Sequence, residues 1–181
     1  MRTLVVYYSR SGTTRDVAHA IARAMGAEVE EIVDTTPRSG PFGYFWSAVE
    51  SSLEIAPSIQ AGKRDPRDYD LVIVGTPVWA SNVSTPVRAY LSERRGQMPK
   101  VAFFCTMGGR GSERAFRKME AISGASPVAR LALREGVRWK DGQAAIQAFV
   151  ETATEAVEAP PRPAPRPQPR ENGAGRPEAR A

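Results

Sequence analysis

The chain has 181 residues, with 25 Lys and Arg against 20 Asp and Glu, and it holds one cysteine and one histidine. That length suits one domain with a sizeable core. The lone Cys105 excludes an internal disulfide and a thiolate metal cluster, and the lone His19 excludes a multi-histidine zinc site.

There is no 18-residue apolar run and no basic-then-apolar leader, so a soluble, cytoplasmic protein without a membrane span is expected. The net charge of +5 divides unevenly: residues 159–181 hold five Arg and two Glu, and residues 1–158 hold 20 basic and 18 acidic side chains. The body is nearly balanced and the excess basicity lies in the tail, so no specific nucleic-acid partner is expected.

Leu4-Val5-Val6-Tyr7-Tyr8 reads as a buried first strand. Ser9-Arg10-Ser11-Gly12-Thr13-Thr14 follows as a tight, hydroxyl-rich turn. Arg15 to Met25 then carries Val17, Ala20/Ile21 and Ala24/Met25 at helical spacing. A helix start of this kind directs free amides, hydroxyls and the positive end of its dipole into the turn, which suits an anion. The same residues also make an ordinary helix cap. Ala27 to Val33 alternates as a half-exposed strand, and an edge position accounts for its three glutamates.

After a connection over 34–41, the aromatic-rich segment Phe42 to Ala56 has helical spacing and is expected to form the second helix. Leu71-Val72-Ile73-Val74 is a continuous β-branched and leucine run, as in a central parallel strand. Thr76 to Thr85 is expected to be a loop, with Pro86 in the first turn of the next helix. Val101 to Cys105 is a fourth strand, ended by Thr106-Met107-Gly108-Gly109-Arg110-Gly111, and Ser112 is expected to cap a helix carrying Ala115, Phe116, Met119 and Ile122. Pro127 to Leu133 is a fifth strand, and the last helix runs from about Gly142 to Val157. From Ala159 the prolines come too often for a helix or a ladder, so 159–181 is expected to be a disordered Pro/Arg-rich tail on a 1–158 domain.

Strands alternating with helices imply an α/β, doubly wound, five-stranded parallel sheet, with ligands outside the carboxyl ends of its strands. Three elaborated loops meet there. Ser9–Thr14 offers anion donors. The second loop offers Trp79, Ser81 and Asn82, and the third offers glycines that let backbone amides approach a planar edge. A ligand with a phosphate at one end and a polar aromatic ring at the other fits the set, although Trp79 as a core residue is the alternative.

The chain resembles flavodoxin-like proteins to about residue 157. The resemblance rests on Val5-Val6-Tyr7-Tyr8-Ser9-Arg10-Ser11-Gly12-Thr13-Thr14, then Gly75-Thr76-Pro77-Val78-Trp79, then Phe103-Phe104-Cys105-Thr106-Met107-Gly108-Gly109. It implies strand order 2-1-3-4-5 and FMN as cofactor. The phosphate would lie on Ser9, Ser11, Gly12, Thr13 and Thr14, with Arg10 also among the cofactor-binding residues. The ring would lie between Thr76, Pro77, Val78, Trp79 and Asn82 on one side and Thr106, Met107, Gly108 and Gly109 on the other, with Trp79 the candidate stacking partner. Thr76, Asn82, Gly108 and Gly109 are the candidates for donors to the ring edge.

The resemblance further implies electron transfer, with a redox partner protein or a small acceptor such as a quinone, and no catalytic side chain. An NAD(P)H-dependent FMN or quinone oxidoreductase is the alternative within the same chemistry. A flavin-free interaction module is the alternative outside it. Two departures stand out: flavodoxins are as a rule strongly acidic whereas this body is balanced, and Met107 and Arg110 occupy a loop that often carries a stacking tyrosine. Other users of this fold are excluded by their signatures. The response-regulator acids are missing after strands one and three, Cys105 and Arg110 are one residue too close for a cysteine phosphatase, and neither a Walker nor a Gly-x-Gly-x-x-Gly motif follows strand one.

Overall fold

The computed structural model describes residues 1–34, 59–60 and 63–159. Its elements are β1 (Thr3–Tyr7), α1 (Thr13–Met25), β2 (Glu28–Glu31), β3 (Val33–Asp34), β4 (Ile59–Gln60), a 3-10 turn (Pro66–Asp68), β5 (Leu71–Trp79), β6 (Asn82–Val83), α2 (Thr85–Glu93), β7 (Val101–Met107), α3 (Ser112–Ser123), β8 (Arg130–Arg134) and α4 (Trp139–Glu158). The central sheet runs β2-β1-β5-β7-β8, all parallel, with Val5 beside both Val29 and Ile73. This is the expected order 2-1-3-4-5. The second helix expected over 42–56, and the tail beyond 159, lie outside the described residues.

Strands buried on both faces are expected to be largely apolar, and β1, β5 and β7 are so apart from the buried threonines Thr3, Thr76 and Thr106. Leu4, Val6, Val72, Val74, Phe103 and Cys105 point to one face, where Tyr90 and Leu91 of α2 and Phe116 and Met119 of α3 cover them. Val5, Tyr7, Leu71, Ile73, Ala102 and Phe104 point to the other, against Ile21 of α1 and Phe149 of α4. β2 is an edge strand, as its glutamates imply. Glu28 pairs with Arg64 at 2.7 Å and Glu31 with Arg15 at 2.8 Å.

Five local expectations change. β2 stops at Glu31, and Val33–Asp34 turns away to pair antiparallel with Ile59–Gln60. β5 continues through Thr76-Pro77-Val78-Trp79, so the expected long loop is an extended strand that folds back as a hairpin onto Asn82–Val83. Gly111, not Ser112, occupies the cap position of α3, with φ 116°. β8 begins at Arg130, three residues later than expected, and α4 begins at Trp139. Among the described residues no helix is long and apolar enough to cross a membrane, and no cluster of ligating side chains forms a metal site.

Cys105 is fully buried in β7, and burial pushes its thiol up to about 12. Folding therefore favours the neutral thiol. This contribution is complete below the unfolded value of about 8.5 and is lost as pH rises towards 12. The native chain is expected not to react with an aromatic disulfide reagent at pH 8, and to yield one thiol equivalent in denaturant. Rapid reaction of the native chain would contradict the placement of this side chain.

Candidate functional site

The carboxyl ends of β1, β5, β7 and β8 surround an open cavity of about 340 Å³, lined by Arg10, Ser11, Thr14, Pro77, Val78, Trp79, Thr106, Met107, Gly108 and Glu135. Parallel strands send their connections to this end, which is why three segments far apart in sequence meet there.

One end gathers free amides and hydroxyls. Gly12, at φ 99°, lets the chain turn sharply from β1 into α1, and the Gly12 amide donates to the Ser9 hydroxyl at 3.1 Å. The Asp16 amide is the first to reach back, to the Gly12 carbonyl at 2.9 Å. Helix geometry therefore leaves the amides of Thr13, Thr14 and Arg15 outside the ladder, at the positive end of the helix dipole. Ser11 and Thr13 stand with their hydroxyls 3.4 Å apart at the surface of the turn. Thr14 is buried, and its hydroxyl meets that of Thr106 at 2.8 Å. This bond ties the start of α1 to the end of β7 and fixes the Ser9–Thr14 turn relative to the rest of the cavity.

The other end presents an aromatic side chain. Trp79 is half-buried on the hairpin, and its indole meets the Tyr8 ring edge-on, with centroids 5.6 Å apart and planes at 89°. It lines the cavity rather than the core. The hairpin turn is Ala80-Ser81, with φ of 48° and 59°, between the paired residues Trp79 and Asn82. Two successive residues in the left-handed region match the right-handed twist of a two-residue hairpin, where Asn-Gly is the usual choice.

Strain of this size persists only when the surroundings fix it. Gly111 supplies that support, since a Cβ on it would lie 2.7 Å from the Ser81 Cα. The Gly111→Ala variant is expected to move the hairpin and Trp79 with it. We expect ligand affinity to fall about tenfold or more, by titration, while the rest of the sheet keeps its far-UV signature.

Of the residues expected from sequence, Arg10, Ser11, Thr14, Pro77, Val78, Trp79, Thr106, Met107 and Gly108 line the cavity together. Ser9, Gly12, Thr13, Thr76, Asn82 and Gly109 stand behind or beside it. Thr76 is fully buried, and its hydroxyl donates to the Pro77 carbonyl at 2.9 Å and accepts from the Ser84 amide at 3.1 Å, anchoring the start of α2 to β5. Asn82 Oδ1 accepts from the Val83 amide at 2.9 Å. Glu135 is the lining residue that sequence reasoning missed. It directly follows β8, its amide donates to the Met107 carbonyl at 2.8 Å, and extending the strand-end rule to the last strand finds it.

The sequence model of the flavodoxin family matches residues 2–152. The chain belongs to the flavodoxin family. Among solved structures, this flavodoxin is similar to a flavoprotein in complex with FMN from Lactobacillus acidophilus, at 25% identity and a TM-score of 0.65, over 74% of this chain and 93% of that one. It shares the fold of a flavodoxin from Streptococcus pneumoniae, at 14% identity and a TM-score of 0.58, over 86% of this chain and 99% of that one. The rubredoxin oxygen:oxidoreductase of Desulfovibrio gigas contains the same fold within a larger chain, at 16% identity and a TM-score of 0.56, over 86% of this chain and 36% of that one.

Proposed function

We propose that this chain is an FMN-binding electron-transfer flavoprotein. One observation carries the reading: a single cavity joins the amide- and hydroxyl-rich start of α1 to the half-buried face of Trp79. A phosphate fits the first end and an isoalloxazine ring the second. Family membership and the FMN complex of the Lactobacillus relative support the choice of cofactor. FMN, when bound, supplies the redox chemistry.

The chain's own residues bind and orient. Ser11, Thr13 and the first amides of α1 hold the phosphate, with Ser9 and Gly12 shaping their turn. Trp79 covers one side of the ring and is itself braced by Tyr8. Met107 and Gly108 lie along the opposite wall, where Gly108, without a side chain, leaves its amide accessible to the ring edge. Gly108, Gly109 and Arg110 are all exposed, so this wall opens to the visiting acceptor, a redox protein or a small molecule such as a quinone. No side chain need exchange a proton with substrate, which agrees with His19 lying exposed on α1, 6.0 Å from the Tyr7 ring.

The test is the chromophore. The purified chain is expected to be yellow and to release one equivalent of FMN on denaturation, and a colourless chain that refuses added FMN would overturn the reading.

A further inference from the structure

Charge is distributed over the body in a way the cofactor site does not use. Between Ser84 and Gly124 the sequence holds eight basic and three acidic side chains, so the remainder of 1–158 holds 12 basic and 15 acidic. The excess sits on α2, α3 and the loop before α3. Arg114 and Arg117 are exposed about one turn apart on α3, Arg110 is exposed in the loop just before its cap, and Lys118 on α3 and Arg88 on α2 are half-exposed.

Several cations elsewhere have acids: Arg15 pairs with Glu31, Arg64 with Glu28, Arg67 with Asp65, Arg130 with Glu120 and Arg138 with Asp141, while Arg95 and Lys100 bond to backbone carbonyls. Among the described residues, Arg110, Arg114 and Arg117 take part in no ion pair. Helix stability does not account for them either. Arg110 and Arg114 flank the start of α3, the positive end of its dipole, where an acid would be favoured.

The position of the stripe is informative. It begins at Arg110, two residues after the cavity wall at Gly108, and its first helical turn supports the Trp79 hairpin through Gly111 and Ser81. We propose that the Arg110–Arg114–Arg117 stripe is the docking surface for an acidic redox protein, which brings its own centre to the open wall of the cavity. The redox part of this proposal rests on the FMN reading. Continuity with that wall is what favours a protein carrier over a nucleic acid.

The probe is an acidic plant-type [2Fe–2S] ferredoxin, with basic cytochrome c and a DNA duplex as controls, titrated calorimetrically into the full chain with and without FMN. Ferredoxin is expected to bind both forms at 50 mM salt, and cytochrome c neither. Affinity should fall about tenfold or more in the Arg114→Glu, Arg117→Glu double variant and again at 300 mM salt. FMN affinity and the unfolding midpoint of the variant should stay at least as high as in the parent.

The tail carries five arginines of its own, so ferredoxin binding that survives the double variant would overturn the proposal. Tighter binding of the duplex than of ferredoxin through the same two residues would overturn it as well. Ferredoxin binding by a chain that takes up no FMN would sink the cofactor reading and leave the docking surface in place.

Discussion

Replacing Gly75 by alanine is expected to cost about 3 kcal/mol of stability, the upper range for overpacking a core. Gly75 lies in β5 opposite Phe104 of β7, and the Phe104 ring lies across the space a side chain would fill. A Cβ at Gly75 would sit 2.0 Å from Phe104 Cζ and within 2.6 Å of two further ring atoms, so the ring must leave its place. Phe104 is fully buried between β5 and the helices α1 and α4, and any new rotamer displaces other core side chains. Denaturant unfolding should show the lower midpoint. Phe104→Leu, mildly destabilising alone, is expected to restore part of the loss in the double variant, because the two residues share one volume. Additive losses would show that the strain lies elsewhere.

The second large effect concerns the anion end. Removal of both hydroxyls by Ser11→Ala with Thr13→Ala should weaken FMN by roughly a hundredfold, taking each lost charge-assisted bond at about 1–3 kcal/mol. Riboflavin, which lacks the phosphate, should lose little. Thr14→Val makes a useful contrast. Thr14 is buried and bonded to Thr106, so its loss loosens the joint between the two halves of the cavity and should weaken both ligands alike. Equal losses for both ligands in the first variant would mean that the turn does not hold the phosphate.

Most of this architecture is legible in the sequence because parallel strands buried on both faces are largely apolar. Leu4 to Tyr7, Leu71 to Val74 and Val101 to Cys105 have no other plausible place. The end of β5 is less legible. Thr76-Pro77 looks like a break, since proline cannot donate to a ladder. The last pair between β1 and β5 is Tyr7 with Gly75, however, so at Pro77 one neighbouring strand has already ended and the missing amide is tolerated.

The hairpin is hidden for a related reason. Its turn is Ala80-Ser81, which lacks the Asn-Gly signal, and its geometry depends on Gly111 thirty residues away. The cap of α3 has the same origin. Ser112 has the better side chain for capping, but the close approach to Ser81 and the positive φ both require glycine at 111. Long-range contact, not local propensity, decides these positions.

Reaching the site from sequence depends on three loops rather than one motif. Ser9–Thr14 alone favours an anion only slightly over a cap, and its reading as half of a site comes from Trp79 and Met107 lining the same cavity. Glu135 escaped because β8 is short and half-exposed, with Arg130, Ala132 and Arg134 turned to solvent, so its end attracts no notice as a site.

FMN binding as proposed requires a phosphate end and a ring end in the same cavity. Titration of the flavin-free chain with FMN and with riboflavin, followed by flavin fluorescence, tests both at once. The expected result is one-to-one quenching by either ligand, with FMN about a hundredfold or more tighter. Equal affinity for the two flavins, or no quenching by FMN, would contradict it.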